Sequence, residues 1–117
     1  MDYIRIGSLL AFLGVALGAF GAHALRERLS PAMLQVWNTA VLYHLLHAVA
    51  LFALGLYART SGADVKVGGT LLTAGVLVFS GSLYALALTG IKPLGAITPV
   101  GGLLFLAGWL WIAVRGL

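Results

Sequence analysis

Residues 29–58, LSPAMLQVWNTAVLYHLLHAVALFALGLYA, form the longest stretch of this 117-residue chain without a charged side chain. The other uncharged stretches are 6–25, 67–91 and 93–114, and the four runs are 20, 30, 25 and 22 residues long in chain order. About 20 mostly apolar residues in a helix cross the roughly 30 Å hydrocarbon core of a bilayer. The runs lack the period-two alternation of a transmembrane β-strand. The sequence therefore predicts an all-α, polytopic integral membrane protein with four transmembrane helices in an antiparallel bundle.

The composition supports the membrane prediction and excludes several functional classes. The chain is 62% hydrophobic and only 9% charged, whereas soluble domains average about 45–50% apolar and about 25% charged residues. An ordinary water-soluble enzyme and a disordered chain are therefore excluded. The net charge is +4, but the basic residues are scattered, so no nucleic-acid partner is predicted. The chain has no cysteine, which excludes disulfides, a thiol nucleophile and cysteine-ligated metals.

The charge-free runs also set the predicted helix bounds within a single transmembrane domain, 1–117. The predicted helices are 4–25, 31–57, 67–89 and 98–115. Thirty residues of helix measure about 45 Å, which is too long for one straight crossing. Residues 31–38 are therefore predicted as a short interfacial segment between the first and second helices, with Trp37 in the interfacial aromatic belt. Ser30 and Pro31 are typical of a helix start, as cap and first-turn proline.

The first helix has an alternative interpretation as a secretory signal. Ala22-His23-Ala24 is a small-x-small pattern that resembles a cleavage site. However, the apolar run from Ile6 to Ala22 has 17 residues, which exceeds the usual h-region of about 7–15 residues. We therefore favour a membrane span.

The basic residues indicate an orientation. Four spans place both termini and the 58–66 loop on one side, together with four basic residues: Arg5, Arg59, Lys66 and Arg115. The opposite side carries three: Arg26, Arg28 and Lys92. The positive-inside rule then predicts a multi-pass protein of the cell membrane with cytoplasmic termini.

Small residues recur at helical spacing along several of the predicted helices. Because lipid is as apolar as leucine, membrane helices associate through close backbone contact and interhelical hydrogen bonds. The predicted helix-packing residues are Gly7, Ala11, Gly14, Gly18 and Gly21 on the first helix, Gly75 on the third, and Gly101 and Gly108 on the fourth. A chain of 12.2 kDa has little interior of its own. We therefore expect a homo-oligomer or a subunit of a larger membrane complex within the lipid bilayer.

Polar residues at membrane depth are the candidate site, because their burial is costly unless they find partners. The four-span topology brings the end of the first helix, the start of the second and the second half of the third into one leaflet. The predicted intramembrane polar cluster comprises His23, Glu27, Tyr43, His44, His47, Ser80, Ser82 and Tyr84.

Three interpretations of this cluster remain open. The favoured one is a hydrogen-bonded group that fixes helix register in a non-enzymatic structural, accessory or regulatory membrane component. The second is transport of protons, a metal ion or a small solute along a His/Tyr/Ser track. The third is a metal- or haem-binding redox helper that uses His23, His44 and His47, with Glu27 as a further ligand. An intramembrane hydrolase lacks a buried aspartate and a nucleophile elbow, so no catalytic residue and no cofactor are predicted.

Four motifs occur in a characteristic order along the chain. They are Gly18-Ala-Phe-Gly-Ala-His-Ala-Leu25, Thr39-Ala-Val-x-Tyr-His-x-x-His-Ala48, Phe79-Ser-Gly-Ser-Leu-Tyr84, and Leu94-Gly-x-Ile-Thr-Pro-x-Gly-Gly102 followed by Gly108-Trp109. In these motifs the chain resembles the four-helix membrane family that includes transmembrane protein 256, known as domain of unknown function 423. The resemblance implies a bacterial inner-membrane protein, or a mitochondrial one in eukaryotes, and transfers no catalytic residue.

One position departs from the pattern that this resemblance implies. His44 stands where glutamine is expected in many relatives, which weakens a three-histidine metal site as a property of the family. His23, His47, Ser80, Ser82 and Tyr84 are the polar positions that match the pattern.

Overall fold

The computed structural model describes residues 2–115, and within them it contains helices and no strand. The α-helices are α1 (Tyr3–Ala24), α2 (Pro31–Ser61), α3 (Lys66–Gly75), α4 (Gly81–Thr89) and α5 (Thr98–Arg115). A π-helical turn, Val76–Ser80, joins α3 to α4 without a break, and a 3₁₀ turn, Lys92–Ala96, precedes α5. We refer to Lys66–Thr89 as the third span. The predicted domain limits, at 1 and at 116–117, lie outside the described residues.

The predicted fold class is confirmed. The chain is an all-α membrane protein whose four spans are long and apolar enough to cross a bilayer. Residues 31–38, predicted as the interfacial start of the second helix, form the first turns of the continuous 31-residue helix α2. A helix of that length rises about 46 Å, so α2 must tilt or project beyond the hydrocarbon core.

Local sequence signals set the helix ends. The carboxylate of Asp2 accepts the backbone N–H of Ile4 at 3.0 Å and caps α1. The hydroxyl of Ser30 accepts the N–H of Met33 at 3.2 Å and caps α2 ahead of Pro31. Helix α2 and the third span both end at glycines in the left-handed conformation, Gly62 at φ 74° and Gly90 at φ 70°, where a side chain would be strained.

The spans pack in sequence order, α1 along α2, α2 against the third span, and the third span against α5. The Tyr3 hydroxyl donates to the Lys66 carbonyl at 3.2 Å, which places the start of α1 beside the start of the third span. We call this end of the bundle the Tyr3 side and the opposite end, where α2 and α5 begin, the Pro31 side. A buried apolar cluster towards the Tyr3 side comprises Tyr3, Leu51, Val65, Leu72, Val76 and Phe105.

The predicted packing glycines lie where neighbouring helices approach closely. A Cβ atom on Gly7 would lie 2.6 Å from the backbone nitrogen of Phe52, so α1 and α2 meet there backbone to backbone. The other predicted glycines face side chains or backbone of the next helix: Gly14 faces Leu45, Gly18 faces Val41, Gly21 faces Trp37, Gly75 faces Phe105, Gly101 faces Phe79 and Gly108 faces Leu72. Ala11 is half-buried. The sequence analysis missed Gly55 and Gly69, which make room for Ile4 and Tyr3 of α1.

Candidate functional site

His44 connects three spans near the middle of the bundle. Its Nε2 lies 2.7 Å from the backbone carbonyl oxygen of Leu10 on α1. Because a carbonyl only accepts, Nε2 carries the proton and donates. Its Nδ1 lies 2.8 Å from the hydroxyl of Tyr84 on α4 and, in the neutral ring, accepts from it. Both nitrogens of this buried imidazole, 4% exposed, are therefore engaged.

His47 faces a different helix. The indole N–H of Trp109 on α5 lies 3.0 Å from Nε2 of His47. Since an indole nitrogen only donates, Nε2 is the acceptor and the proton resides on Nδ1. That proton is donated to the Tyr43 carbonyl oxygen, 2.7 Å away in the preceding turn of α2. The ring also stacks on Phe105, with centroids 3.7 Å apart and planes 11° apart.

The two serines flank the point where the π-helical turn meets α4, and they bond to opposite neighbours. The Ser80 hydroxyl, 1% exposed, donates to the Ala40 carbonyl of α2 at 2.8 Å. The Ser82 hydroxyl donates to the Phe79 carbonyl at 2.8 Å and lies 2.6 Å from the hydroxyl of Thr98 at the start of α5. The wider π-helical turn thus lies where the third span bonds to both α2 and α5.

His23 and Glu27 do not join the other polar residues. Both are exposed at the Pro31 side, where α1 ends and the following turn begins. Leu10, whose carbonyl binds His44, precedes His23 by 13 residues, which is about 20 Å of helix rise. The expectation that His23 would face His44 or His47 is therefore corrected. Within residues 2–115 no three His, Asp, Glu or Cys side chains are grouped so as to hold a metal ion.

Trp37 and Trp109 form interhelical hydrogen bonds that the sequence analysis did not predict. Trp37, predicted in the interfacial aromatic belt, is only 4% exposed and packs between helices. Its indole N–H donates to the Leu17 carbonyl at 3.0 Å, and its ring lies 4.8 Å from that of Tyr84. Trp109, named in the sequence analysis only within a motif, donates to His47. These hydrogen bonds could have been expected from the chemistry of tryptophan, because an indole N–H in an apolar helix needs an acceptor.

The arrangement is a set of paired contacts rather than one open cluster. Every buried side-chain nitrogen or oxygen of residues 2–115 has a hydrogen-bond partner within the protein. Buried polar groups satisfied in this way stabilise one helix register, since any shift would leave donors or acceptors unpaired in lipid.

Comparison with known proteins agrees with this architecture. The family described as "Protein of unknown function (DUF423)" matches residues 17–102. A UPF0382 membrane protein of Staphylococcus haemolyticus is 48% identical over 112 residues, covering 96% of this chain and 92% of that protein. The UPF0382 membrane protein YwdK of Bacillus subtilis is 47% identical over 114 residues, covering 96% of this chain and 93% of its own. No solved structure matches.

Proposed function

We propose a structural function for this chain, which belongs to the DUF423 family of membrane proteins. The resemblance of its motifs had indicated this family. In our proposal it is a non-enzymatic membrane component with a structural or accessory role, and its buried polar residues hold the four spans in register. The observation that carries the proposal is the double hydrogen bonding of His44 and His47, which connects α2 to α1, α4 and α5.

This bonding pattern disfavours acid–base chemistry and metal binding at the two histidines. A general base or a metal ligand needs a nitrogen lone pair that reaches the substrate or the ion. In His44 the available lone pair accepts from Tyr84, and in His47 it accepts from Trp109. Either reaction would first have to break an interhelical hydrogen bond inside the membrane, where the released groups find no water.

The same contacts disfavour a proton track. A relay needs groups that both accept and donate a proton. The chain of contacts through His47 ends at Trp109, whose indole N–H only donates, and the chain through His44 ends at the helical carbonyl of Leu10. The support for a structural role is therefore stronger than the support for conduction.

We further propose that the chain works as a homo-oligomer or as a subunit of a larger membrane complex. Only 17% of the membrane-crossing residues of the first and fourth spans are buried, against 33% in the second and third. Most of the surface of α1 and α5 is thus available to neighbouring chains as well as to lipid. We place the protein in the bacterial inner membrane with the Tyr3 side in the cytoplasm, because that side holds four of the seven basic residues.

Proteoliposomes provide the test. Vesicles that contain the protein should hold an imposed pH gradient as long as empty vesicles, and His47→Phe should leave that lifetime unchanged. In mild detergent the wild-type chain should migrate above its monomer mass of 12.2 kDa. A proton flux that His47→Phe abolishes would refute the structural role, and strictly monomeric particles would refute the subunit role.

A further inference from the structure

A lateral groove runs between α2 and α5 on the membrane-facing surface. It encloses 580 Å³, within the range of about 300–1,000 Å³ typical of small-molecule sites. Five of its lining residues carry aromatic rings, namely Tyr43, His47, Phe79, Phe105 and Trp109. The remaining wall is aliphatic or glycine, so the groove has an apolar interior, and Tyr43 and Trp109 are its exposed large aromatic residues.

Tyr43 supplies the groove with a polar group that the protein does not satisfy. The hydroxyls of Tyr3 and Tyr84 are hydrogen-bonded within the bundle. The Tyr43 side chain is 39% exposed, and its hydroxyl has no partner among residues 2–115. A hydroxyl that lacks a partner in an apolar medium costs about 1–3 kcal/mol. Lipid tails offer neither donor nor acceptor, so a bound molecule that carries an acceptor would satisfy this hydroxyl.

The depth of Tyr43 restricts what that ligand is. The ring centroid of Tyr43 lies 6.2 Å from that of Phe105. Phe105 comes seven residues after Thr98, where α5 starts, and seven residues correspond to about 10 Å of helix rise. The ester groups of phospholipids lie in the interfacial layer outside the hydrocarbon core. A charged head would not descend to this depth without a large desolvation cost. An uncharged head group with an oxygen acceptor can lie at this depth and can accept a hydrogen bond from the Tyr43 hydroxyl.

The length of the groove fits a molecule that belongs to one leaflet. Its lining on α5 extends from Pro99 to Trp109, which is about 15 Å of helix rise. This is about half of the roughly 30 Å hydrocarbon core. The rigid wall is preorganised, because His47 is held by Trp109 and stacked on Phe105.

We propose that this groove binds a neutral lipid whose head is a flat ring bearing carbonyl oxygens, the chemistry of a prenyl quinone. The Tyr43 hydroxyl donates to one carbonyl, the ring of the ligand lies against the rings of Phe79 and Trp109, and the tail follows α5. The site holds the ligand and performs no electron transfer. This binding role goes beyond the structural function proposed above and does not depend on it.

Titration of the protein with decylubiquinone in phosphatidylcholine nanodiscs tests the site, with saturable quenching of tryptophan fluorescence as the readout. Tyr43→Phe keeps the ring and removes the donor, so affinity should fall about three- to tenfold. Gly102→Leu should abolish saturable binding, because Gly102 lines the groove and a Cβ there meets no atom within 4 Å. The added side chain therefore occupies the groove rather than a packed interface.

Two matched variants serve as controls. Tyr57→Phe changes another exposed tyrosine on α2 outside the groove, and Gly81→Leu fills another position where a Cβ meets nothing within 4 Å. Both should bind as the wild type does, and none of the four variants should melt below the wild-type thermal midpoint. Equal affinity of Tyr43→Phe and wild type would overturn the proposal. Displacement of decylubiquinone by phosphatidylcholine with brominated tails would also overturn it, since the groove would then accept ordinary acyl chains.

Discussion

Gly7→Ala tests whether close backbone approach holds α1 against α2. The added Cβ would lie 2.6 Å from the Phe52 nitrogen and 2.7 Å from the Ala48 carbonyl oxygen. Optimal contacts between such atoms lie near about 3.5–4.0 Å, so each is short by roughly 1 Å. Both partners are backbone atoms of α2 and no side chain can rotate away. The helices must separate, and overpacking of this kind costs about 1–3 kcal/mol.

The free energy of unfolding in mixed detergent micelles, followed by circular dichroism, gives the measurement. Gly102→Ala is the matched control, because a Cβ at Gly102 meets no atom within 4 Å. Its free energy of unfolding should equal the wild-type value or exceed it by up to about 1 kcal/mol, through the higher helix propensity of alanine. If Gly7→Ala unfolds within about 0.5 kcal/mol of the control, close packing at Gly7 does not stabilise the α1–α2 pair.

Three further predictions concern the polar contacts and the orientation. His44→Phe leaves the Tyr84 hydroxyl without its partner and should lower the free energy of unfolding by about 1–3 kcal/mol. Adding Tyr84→Phe should recover part of this loss. If no stability is recovered, the two side chains are not coupled. Ser80→Ala removes one interhelical hydrogen bond and should cost about 0.6 kcal/mol, and at most about 1.7; a larger loss in the same assay would mean that the hydroxyl does more than bond Ala40. The C-terminus is expected in the cytoplasm. A fluorescent protein fused after residue 117 should therefore fluoresce in bacterial cells, and an alkaline phosphatase fused there should be inactive. The reverse pattern would invert the proposed topology.

The spans were predictable because a bilayer imposes a simple rule on the sequence. Charged residues bound each apolar run, and Ser30 before Pro31 fixes where α2 begins. The helix predicted over 31–57 runs continuously from Pro31 to Ser61, and a helix of this length fits a bilayer when it tilts or projects beyond the hydrocarbon core. The π-helical turn at Val76–Ser80 was not predicted, since the glycines that flank it, Gly75 and Gly81, also fit a regular helix packed closely on its neighbours.

The candidate site was predictable in composition but not in pairing. Two of the partners, the carbonyls of Leu10 and Ala40, are backbone groups that every residue carries. No side-chain pattern identifies which carbonyl a buried histidine or serine will reach. His23 was assigned to the cluster from topology alone, which places residues in a leaflet but does not resolve the distance along a helix.

The spacing of His44 and His47 explains why the predicted single cluster separates into distinct contacts. Residues three apart on an α-helix differ by about 300° around the axis, which leaves their directions about 60° apart. One imidazole therefore reaches α1 and α4 while the other reaches α5.

Glycine contacts bring helices close but recur every three or four residues along α1, so they tolerate a shift by one turn. The hydrogen bonds of α2 do not tolerate that shift, because each donor has its acceptor at only one height. We infer that the glycines supply close packing and that the histidines select the register.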